Sequence, residues 1–119
     1  MAKILVIEDD EMLLALLQNI LGGAGHEIVT TADGPSGIEL YKRHHPDLVL
    51  LDLGLPSMNG LEVLKLIREF DRKARVVVVT GYGSEESAEV AFSYGASDFV
   101  QKPFESEALI ERVNAALSS

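Results

Sequence analysis

Five short apolar runs, separated by segments with helical spacing, restrict the fold of this chain more than any other feature of its sequence. Continuous runs rich in Val, Ile and Leu are typical of strands that are buried on both faces. Strands that alternate strictly with helices predict an α/β fold, in which a parallel sheet carries helices on both faces. The predicted strands cover residues 3–7, 27–31, 47–51, 75–80 and 99–100.

Turn and capping residues predict where the intervening helices begin and end. Either Asp9 or Asp10 can cap the first helix, and the glycine pair at 22–23 is expected to stop it. In the fourth helix, Ser84 is the expected cap and Gly95 the expected terminator. Because crossovers between parallel strands are right-handed, this order of elements predicts a doubly wound sheet.

Length and composition limit the chain to a few classes of protein. The 119 residues carry a net charge of −9 and are expected to form one domain, residues 1–119. The absence of cysteine excludes disulfide scaffolds, thiolate metal sites and cysteine nucleophiles. An acidic chain is a poor direct partner for duplex DNA, because that binding depends on Lys and Arg. We expect a cytoplasmic protein that does not enter a membrane, because the sequence has no signal-peptide layout and no long apolar run.

Chemically distinctive residues follow four of the five predicted strands. The first strand ends in the acidic run 8–11, the third in Asp52, the fourth in Thr80, and the fifth in Lys102 and Pro103. In a doubly wound sheet, ligands bind outside the carboxyl ends of the strands, so these side chains are expected at one edge. Carboxylates are ligands that Mg²⁺ prefers, whereas a hydroxyl and an ammonium group hold an anion. Together they predict a phosphoryl-transfer site.

The chain resembles the receiver domains of bacterial two-component response regulators over essentially all of its 119 residues. Each matching motif is weak evidence alone, but all of them occur in order and at the expected strand ends. The resemblance implies a five-stranded parallel sheet of flavodoxin-like order 2-1-3-4-5. The motifs that carry it are Val-Ile-Glu-Asp at 6–9, residues 46–52 and the loop 53–60, Val-Thr-Gly at 79–81, Gly-Ala at 95–96 and Lys-Pro-Phe at 102–104.

The resemblance also implies an acceptor and a Mg²⁺ site. Asp52 matches the aspartate that accepts the phosphoryl group. Asp9 matches the principal metal-binding acid, and Glu8 matches its partner, which often acts through water in this family. Gly54 falls where the family supplies a backbone carbonyl to the metal, a group that any residue can offer. Such a domain accepts a phosphoryl group and hydrolyses it slowly, and is not expected to be a metabolic enzyme.

Further residues match the family's phosphoryl-holding and switching positions. Thr80 and Lys102 match the hydroxyl and ammonium groups that hold phosphoryl oxygens, and the Lys102–Pro103 bond matches one that is cis in the family. Phe99 occupies the aromatic switch position that works with Thr80, although it can equally be a core residue. The expected partners are a sensor histidine kinase or a histidine phosphotransfer protein. The face made by helix 4, strand 5 and helix 5 is expected to carry the signal and to form a homodimer contact.

Three other classes share parts of this pattern. A flavodoxin-like cofactor binder needs a phosphate loop after the first strand, where this chain has four acids that would repel a phosphate. A haloacid-dehalogenase-type phosphatase expects a second Asp two residues after the nucleophile, where this chain has Gly54. A pseudo-receiver that only binds partners would lack an acid, the acceptor or the lysine, and none of these is missing. The sequence leaves open whether the regulator is single-domain or larger.

Overall fold

Strands and helices alternate along residues 2–81 and 85–119, the part of the chain that the computed structural model describes. All neighbouring strands pair in parallel, in the order β2-β1-β3-β4-β5, which confirms the predicted doubly wound fold. The elements are β1 (Lys3–Ile7), α1 (Glu11–Gly23), β2 (Glu27–Thr31), α2 (Gly34–His44), β3 (Leu48–Leu51), α3 (Gly60–Phe70), β4 (Val76–Thr80), α4 (Glu85–Ser93), β5 (Asp98–Gln101) and α5 (Ser106–Leu117).

Alternate residues of each central strand enter two separate cores, one on each face of the sheet. In β1, Leu5 and Ile7 pack on the face covered by α2 and α3, whereas Ile4 and Val6 pack on the face covered by α1 and α5. Successive side chains of a strand point to opposite faces, so a strand with both faces covered must be apolar throughout. This burial explains why the first polar side chains occur where the strands end. Among the described residues, no helix is both long and apolar enough to cross a bilayer.

The observed helix ends correct one prediction and confirm others. Asp10 is the N-cap of α1, and its carboxylate accepts two first-turn backbone N–H groups at 2.9 and 3.2 Å. The glycine pair at 22–23 does not stop α1 but forms its last two residues. The reversal falls on Gly25, whose φ of 93° is a conformation that glycine adopts without steric cost. Gly95, at φ 95°, follows α4 as predicted, whereas the predicted Ser84 cap lies outside the described residues.

Strand boundaries differ from the predictions by one residue where side chains compete for the backbone. β3 begins at Leu48, one residue later than predicted. The Lys3 N–H donates to the side-chain carboxylate of Asp47 at 2.8 Å, where a longer strand would offer it a backbone carbonyl. β5 is longer than predicted, since Asp98–Gln101 pairs along the last four residues of β4. The longer pairing anchors the segment that leads directly into Lys102.

A buried tyrosine ties α2 to the end of α3. The Tyr41 hydroxyl donates to Oδ2 of Asp71 at 2.7 Å, and the Tyr41 side chain is buried. This hydrogen bond is the main reason that the pKa of Asp71 lies below its ordinary value. Burial and then the neighbouring Asp71 carboxylate raise the pKa of Tyr41. The bond therefore stabilises the ionised carboxyl of the α3 C-cap.

Replacing Tyr41 with Phe should lower the free energy of unfolding at neutral pH by about 1 kcal/mol, because one bond to a charged group is lost while the ring is kept. The pKa of Asp71 is lowered in the folded state, so its stabilisation is present above the unfolded pKa and is lost as pH falls through the folded pKa. Urea unfolding at pH 7 and pH 3 measures the difference, which should shrink at pH 3. A difference of the same size at both pH values would contradict the assignment.

Candidate functional site

Polar side chains are buried at the carboxyl edge of the sheet. Glu8, Asp52 and Thr80 are only 3%, 4% and 0% exposed, although they follow or end strands whose other buried residues are apolar. The backbone hydrogen bonding of the sheet continues one residue beyond β1 and β3. The Glu8 N–H donates to the Thr31 carbonyl and the Asp52 N–H donates to the Ile7 carbonyl, both at 3.0 Å. The two carboxylates are thus held beside each other by the sheet itself.

Lys102 reaches this edge from the end of β5 and joins the two buried acids. Its Nζ donates to Glu8 Oε1 at 2.8 Å and to Asp52 Oδ2 at 3.2 Å. The Lys102 N–H also bonds the Thr80 carbonyl at 2.9 Å, which fixes the backbone of the lysine against β4. The Lys102–Pro103 peptide bond is cis, as the resemblance implied. Residues 94 and 50 positions apart in sequence therefore form one ion-paired group.

The loop after β3 is packed tightly against Asp52. The Gly54 N–H donates to Asp52 Oδ1 at 3.1 Å, so residue 54 holds the Asp52 carboxylate with its N–H. At the start of α3, the Gly60 N–H bonds the Leu53 carbonyl at 3.2 Å. A Cβ atom at position 60 would press on the Leu53 Cα and lie 2.6 Å from the Asp52 carbonyl oxygen. Sequence reasoning placed Gly60 only in a loop and missed this positioning role, for which its place eight residues after Asp52 was the available signal.

Three carboxylates can share one metal ion at this edge. Glu8, Asp9 and Asp52 each offer an oxygen, and these oxygens lie within 4.8 Å of one another. Lys102 supplies one positive charge to the three acids, so the group retains an excess of negative charge that suits a divalent cation. Hard oxygen donors with an exposed member, Asp9, fit Mg²⁺, which keeps several of its waters. Asp10 is used otherwise: its side chain caps α1 and its N–H donates to Glu8 Oε2 at 3.1 Å.

The two buried acids differ in proton affinity. Burial raises the pKa of Glu8 to about 7, against the hydrogen bonds from Lys102 and the Asp10 N–H, which lower it. Burial also raises the pKa of Asp52, but the Gly54 N–H, Glu8 and Lys102 lower it by more. The pKa of Asp52 therefore lies below its ordinary value. Burial lowers the pKa of Lys102, but the carboxylates of Glu8 and Asp52 raise it by more, so the net shift is upward. Of the two buried acids, Asp52 is therefore the one whose pKa favours the ionised form.

The two predicted switch residues lie on neighbouring strands. Thr80 ends β4 and is fully buried, whereas Phe99 on β5 is half-buried and packs against the core under α3 and α4. In the pairing of these strands, Phe99 lies opposite Val78, two residues before Thr80. Side chains two residues apart share a face of the sheet. The placement is compatible with a coupled movement, but the switch remains a prediction.

Comparison with known proteins agrees with this geometry. Residues 4–114 match the family described as the response regulator receiver domain. The chain belongs to the response regulator receiver family. This receiver domain is 34% identical over 117 residues to the chemotaxis protein CheY of Bacillus subtilis, covering 98% of each chain.

Solved structures similar to this receiver domain have the same fold. A CheY-like receiver protein from Methanospirillum hungatei superimposes with a TM-score of 0.94 at 28% identity, covering 98% of this chain and 93% of that one. A complex of CheX, CheY, beryllofluoride and Mg²⁺ from Borrelia burgdorferi contains a chain that superimposes with a TM-score of 0.92 at 32% identity. That match covers 95% of this receiver domain and 87% of the other chain. Receiver domains are phosphoryl acceptors, and they interact with histidine kinases and phosphotransfer partners.

Proposed function

We propose that residues 1–119 act as one receiver unit, which takes a phosphoryl group onto Asp52 from a phosphohistidine in the presence of Mg²⁺. The observation that carries the proposal is the Lys102 ammonium group, which bridges the buried carboxylates of Glu8 and Asp52 beside an oxygen cluster suited to a divalent cation. A nucleophilic carboxylate, a cation site and a fixed ammonium group are the parts that phosphoryl transfer needs.

In the proposed reaction, Asp52 is the nucleophile. One of its oxygens bonds the phosphorus atom while the bond from phosphorus to the donor histidine nitrogen breaks; because the other ring nitrogen of the donor carries a proton, the products are an acyl phosphate and a neutral imidazole. Its lowered pKa keeps the attacking oxygen unprotonated. Glu8, Asp9, Asp52 and the Gly54 carbonyl would hold Mg²⁺, which when bound neutralises charge on the transferring group. The family's use of the residue 54 carbonyl supports that last ligand.

Lys102 and Thr80 are proposed to hold the remaining phosphoryl oxygens. Lys102 already lies 3.2 Å from Asp52 Oδ2, so a phosphoryl group on that carboxylate falls within reach of the ammonium group. Charge-assisted bonds of this kind stabilise charge that develops during transfer. Water can later attack the acyl phosphate in the same site, so we expect slow self-dephosphorylation. This is the chemistry of a regulated acceptor rather than of a metabolic enzyme.

An apolar surface beside the site suits docking of the phosphohistidine partner, a sensor histidine kinase or a histidine phosphotransfer protein. Met12 and Leu16 of α1 are 84% and 45% exposed, although they are large apolar side chains. Exposed apolar residues grouped together mark protein contacts. Next to them is a hollow of about 280 Å³, lined by Asp10, Leu13, Leu16, Lys102, Pro103 and Phe104. Direct binding to nucleic acid is not expected of a domain with a net charge of −9.

A second surface is proposed to carry the signal onward. Helix α4 buries only Ala91 fully, while Val90 and Phe92 are 37% and 49% exposed. A helix with so small a buried face can shift at modest cost, and its apolar side chains can contact a partner. We propose the face formed by α4, β5 and α5 as the signalling surface and as the contact of a homodimer.

The direct test of the proposed function is phosphorylation by a small phosphodonor. Incubation of the protein with acetyl phosphate and Mg²⁺ should add the mass of one phosphoryl group in intact-protein mass spectrometry, and EDTA should prevent the gain. If the mass never changes with Mg²⁺ present, the chain is a binding module that uses the receiver fold without phosphorylation.

The proposed switch predicts a definite pattern of NMR changes. Beryllofluoride with Mg²⁺ mimics a phosphoryl group on Asp52, and Thr80 is expected to move toward it and open space that Phe99 can fill. Phe99 has no hydroxyl, so its position depends on packing alone and the two states should differ little in free energy. Amide shifts should therefore change around Phe99 and at residues 89–93. Changes confined to the loops around Asp52 and Asp9 would rule out this route.

A further inference from the structure

A basic groove lies between α3 and the end of α4, away from the acidic edge. It has a volume of about 480 Å³ and opens to solvent. Volumes of roughly 300–1,000 Å³ are typical of sites for small organic ligands. Nothing in the proposed phosphoryl chemistry uses this groove. Its lining consists of Lys65, Arg68, Glu69, Arg72, Ser93, Tyr94 and Gly95.

The charge of the groove is opposite to that of the chain. Three of the ten Lys and Arg residues line it, although the chain as a whole carries a charge of −9. Lys65 and Arg68 are three residues apart on one side of α3, and Arg72 follows in the turn after the helix. Within residues 2–81 and 85–119, no ion pair to a carboxylate neutralises any of these three side chains. The single acid in the lining, Glu69, is exposed and can turn toward water.

Arg68 is held in place before any ligand binds. Its Nη1 donates to the Ala74 carbonyl at 3.0 Å, and the side chain is half-buried. The guanidinium also lies against Gly95, where a Cβ atom would collide with Nε. Residue 95 is therefore glycine for two reasons: its positive φ in the turn after α4 is strained for other residues, and a Cβ atom would occupy the space of the Arg68 guanidinium. A guanidinium fixed in this way loses little entropy when it binds an anion.

We propose that this groove binds a nucleotide, with its phosphate chain on Lys65, Arg68 and Arg72 and its planar base against the ring of Tyr94. Arginine forks match phosphate oxygens in pairs, and three cations in a row match a chain of phosphates. Tyr94 supplies an aromatic wall that an inorganic anion would not need, and 37% of its surface is exposed. An acidic peptide would share the charge preference, but a groove of about 480 Å³ that ends in an aromatic ring matches a single small molecule better than an extended segment.

Calorimetric titration of the 119-residue chain with ATP and GTP in EDTA tests the proposal. EDTA excludes nucleotide held through Mg²⁺ at the acidic edge. Tripolyphosphate and a hexaglutamate peptide are the comparison probes. Both nucleotides, or one of them, should bind more tightly than either probe, and the affinity should fall as salt is raised. Amide shifts at 65–72 and 93–95 should accompany binding.

Substitutions that change charge in the groove separate specific binding from general attraction. Arg72→Gln and Lys65→Gln should each weaken nucleotide binding by about tenfold, the effect of losing one charge-assisted bond. Lys73→Gln removes the same charge from the next exposed position outside the groove and should leave affinity unchanged. Glu69→Gln should strengthen binding, and Tyr94→Leu should weaken binding of nucleotide but not of tripolyphosphate.

Three results would each overturn the proposal. The first is the absence of binding by both nucleotides at millimolar concentration. The second is equal affinity for nucleotides and tripolyphosphate, or tighter binding of hexaglutamate, because the base would then contribute nothing. The third is equal loss of affinity in Arg72→Gln and Lys73→Gln, since the groove would then act only through net charge.

Discussion

Asp52→Asn should abolish phosphorylation of this protein by acetyl phosphate, with no phosphoryl mass gained under conditions that modify the wild type fully. The substitution keeps the size of the side chain and its bond from the Gly54 N–H, but an amide cannot form an acyl phosphate. The loss should be complete rather than partial, because Asp52 is the carboxylate that both the Gly54 N–H and the Lys102 ammonium group hold at the site. Intact-protein mass spectrometry measures the result.

Asp10→Asn is the matched control for Asp52→Asn. Asparagine caps helices as well as aspartate does, so this variant keeps the α1 cap while removing one carboxylate from the same edge. It should be phosphorylated normally. A phosphoryl group that still appears on Asp52→Asn would place the acceptor on another residue, and peptide mapping would identify it.

Asp52→Asn should also fold. Lys102 keeps its 2.8 Å bond to Glu8, and the removal of one of two adjacent buried carboxylates relieves their repulsion. We expect the free energy of unfolding to change by less than about 1 kcal/mol, in contrast to the cost of leaving a buried charge without any partner. Urea unfolding of both proteins therefore separates loss of chemistry from loss of fold.

Much of the fold could be predicted from the sequence because burial and hydrophobic pattern act together in a doubly wound sheet. Residues 4–7 and 48–51 are apolar on both faces, and only a strand covered by two layers of helices requires that. Helix ends were harder to predict, since a glycine signals a stop only if its backbone leaves helical angles. Gly22 and Gly23 remain helical, and the positive φ falls on Gly25.

The proximity of Glu8, Asp52 and Lys102 could also be predicted, because parallel strands deliver their carboxyl ends to one edge. What the sequence could not supply is which side chains touch. The resemblance assigned the Lys102 ammonium group to phosphoryl oxygens, and the structure shows that this group pairs with Glu8 and Asp52. This pairing joins residues up to 94 positions apart and depends on their side-chain conformations, so no local pattern encodes it. The close approach of Gly60 to the acceptor loop was missed for the same reason.

The metal site makes the second prediction with a large effect, a rise in melting temperature with Mg²⁺. Only the folded chain brings Glu8, Asp9 and Asp52 together, so Mg²⁺ binds the native state and stabilises it by mass action. At a Mg²⁺ concentration about ten times the dissociation constant, the gain is about 1.4 kcal/mol. For a domain of this size that corresponds to a rise of roughly 4–7 °C. Differential scanning calorimetry with and without Mg²⁺ measures it, with Ca²⁺ and K⁺ as comparisons for selectivity and ionic strength.

Two neighbouring acids test whether the site has been assigned to the correct residues. Asp9→Asn removes a proposed ligand and should reduce the increment to less than about 1 °C, whereas Asp10→Asn keeps the helix cap and should retain most of it. Without metal, Asp9→Asn should melt at or above the wild-type temperature, because one of three crowded carboxylates loses its charge. The direction of this change matters. If Asp9 also stabilised the fold without metal, its replacement would lower the melting temperature instead. Equal increments in the two variants would mean that Mg²⁺ is held elsewhere in the acidic run and that Asp9 does not ligate it.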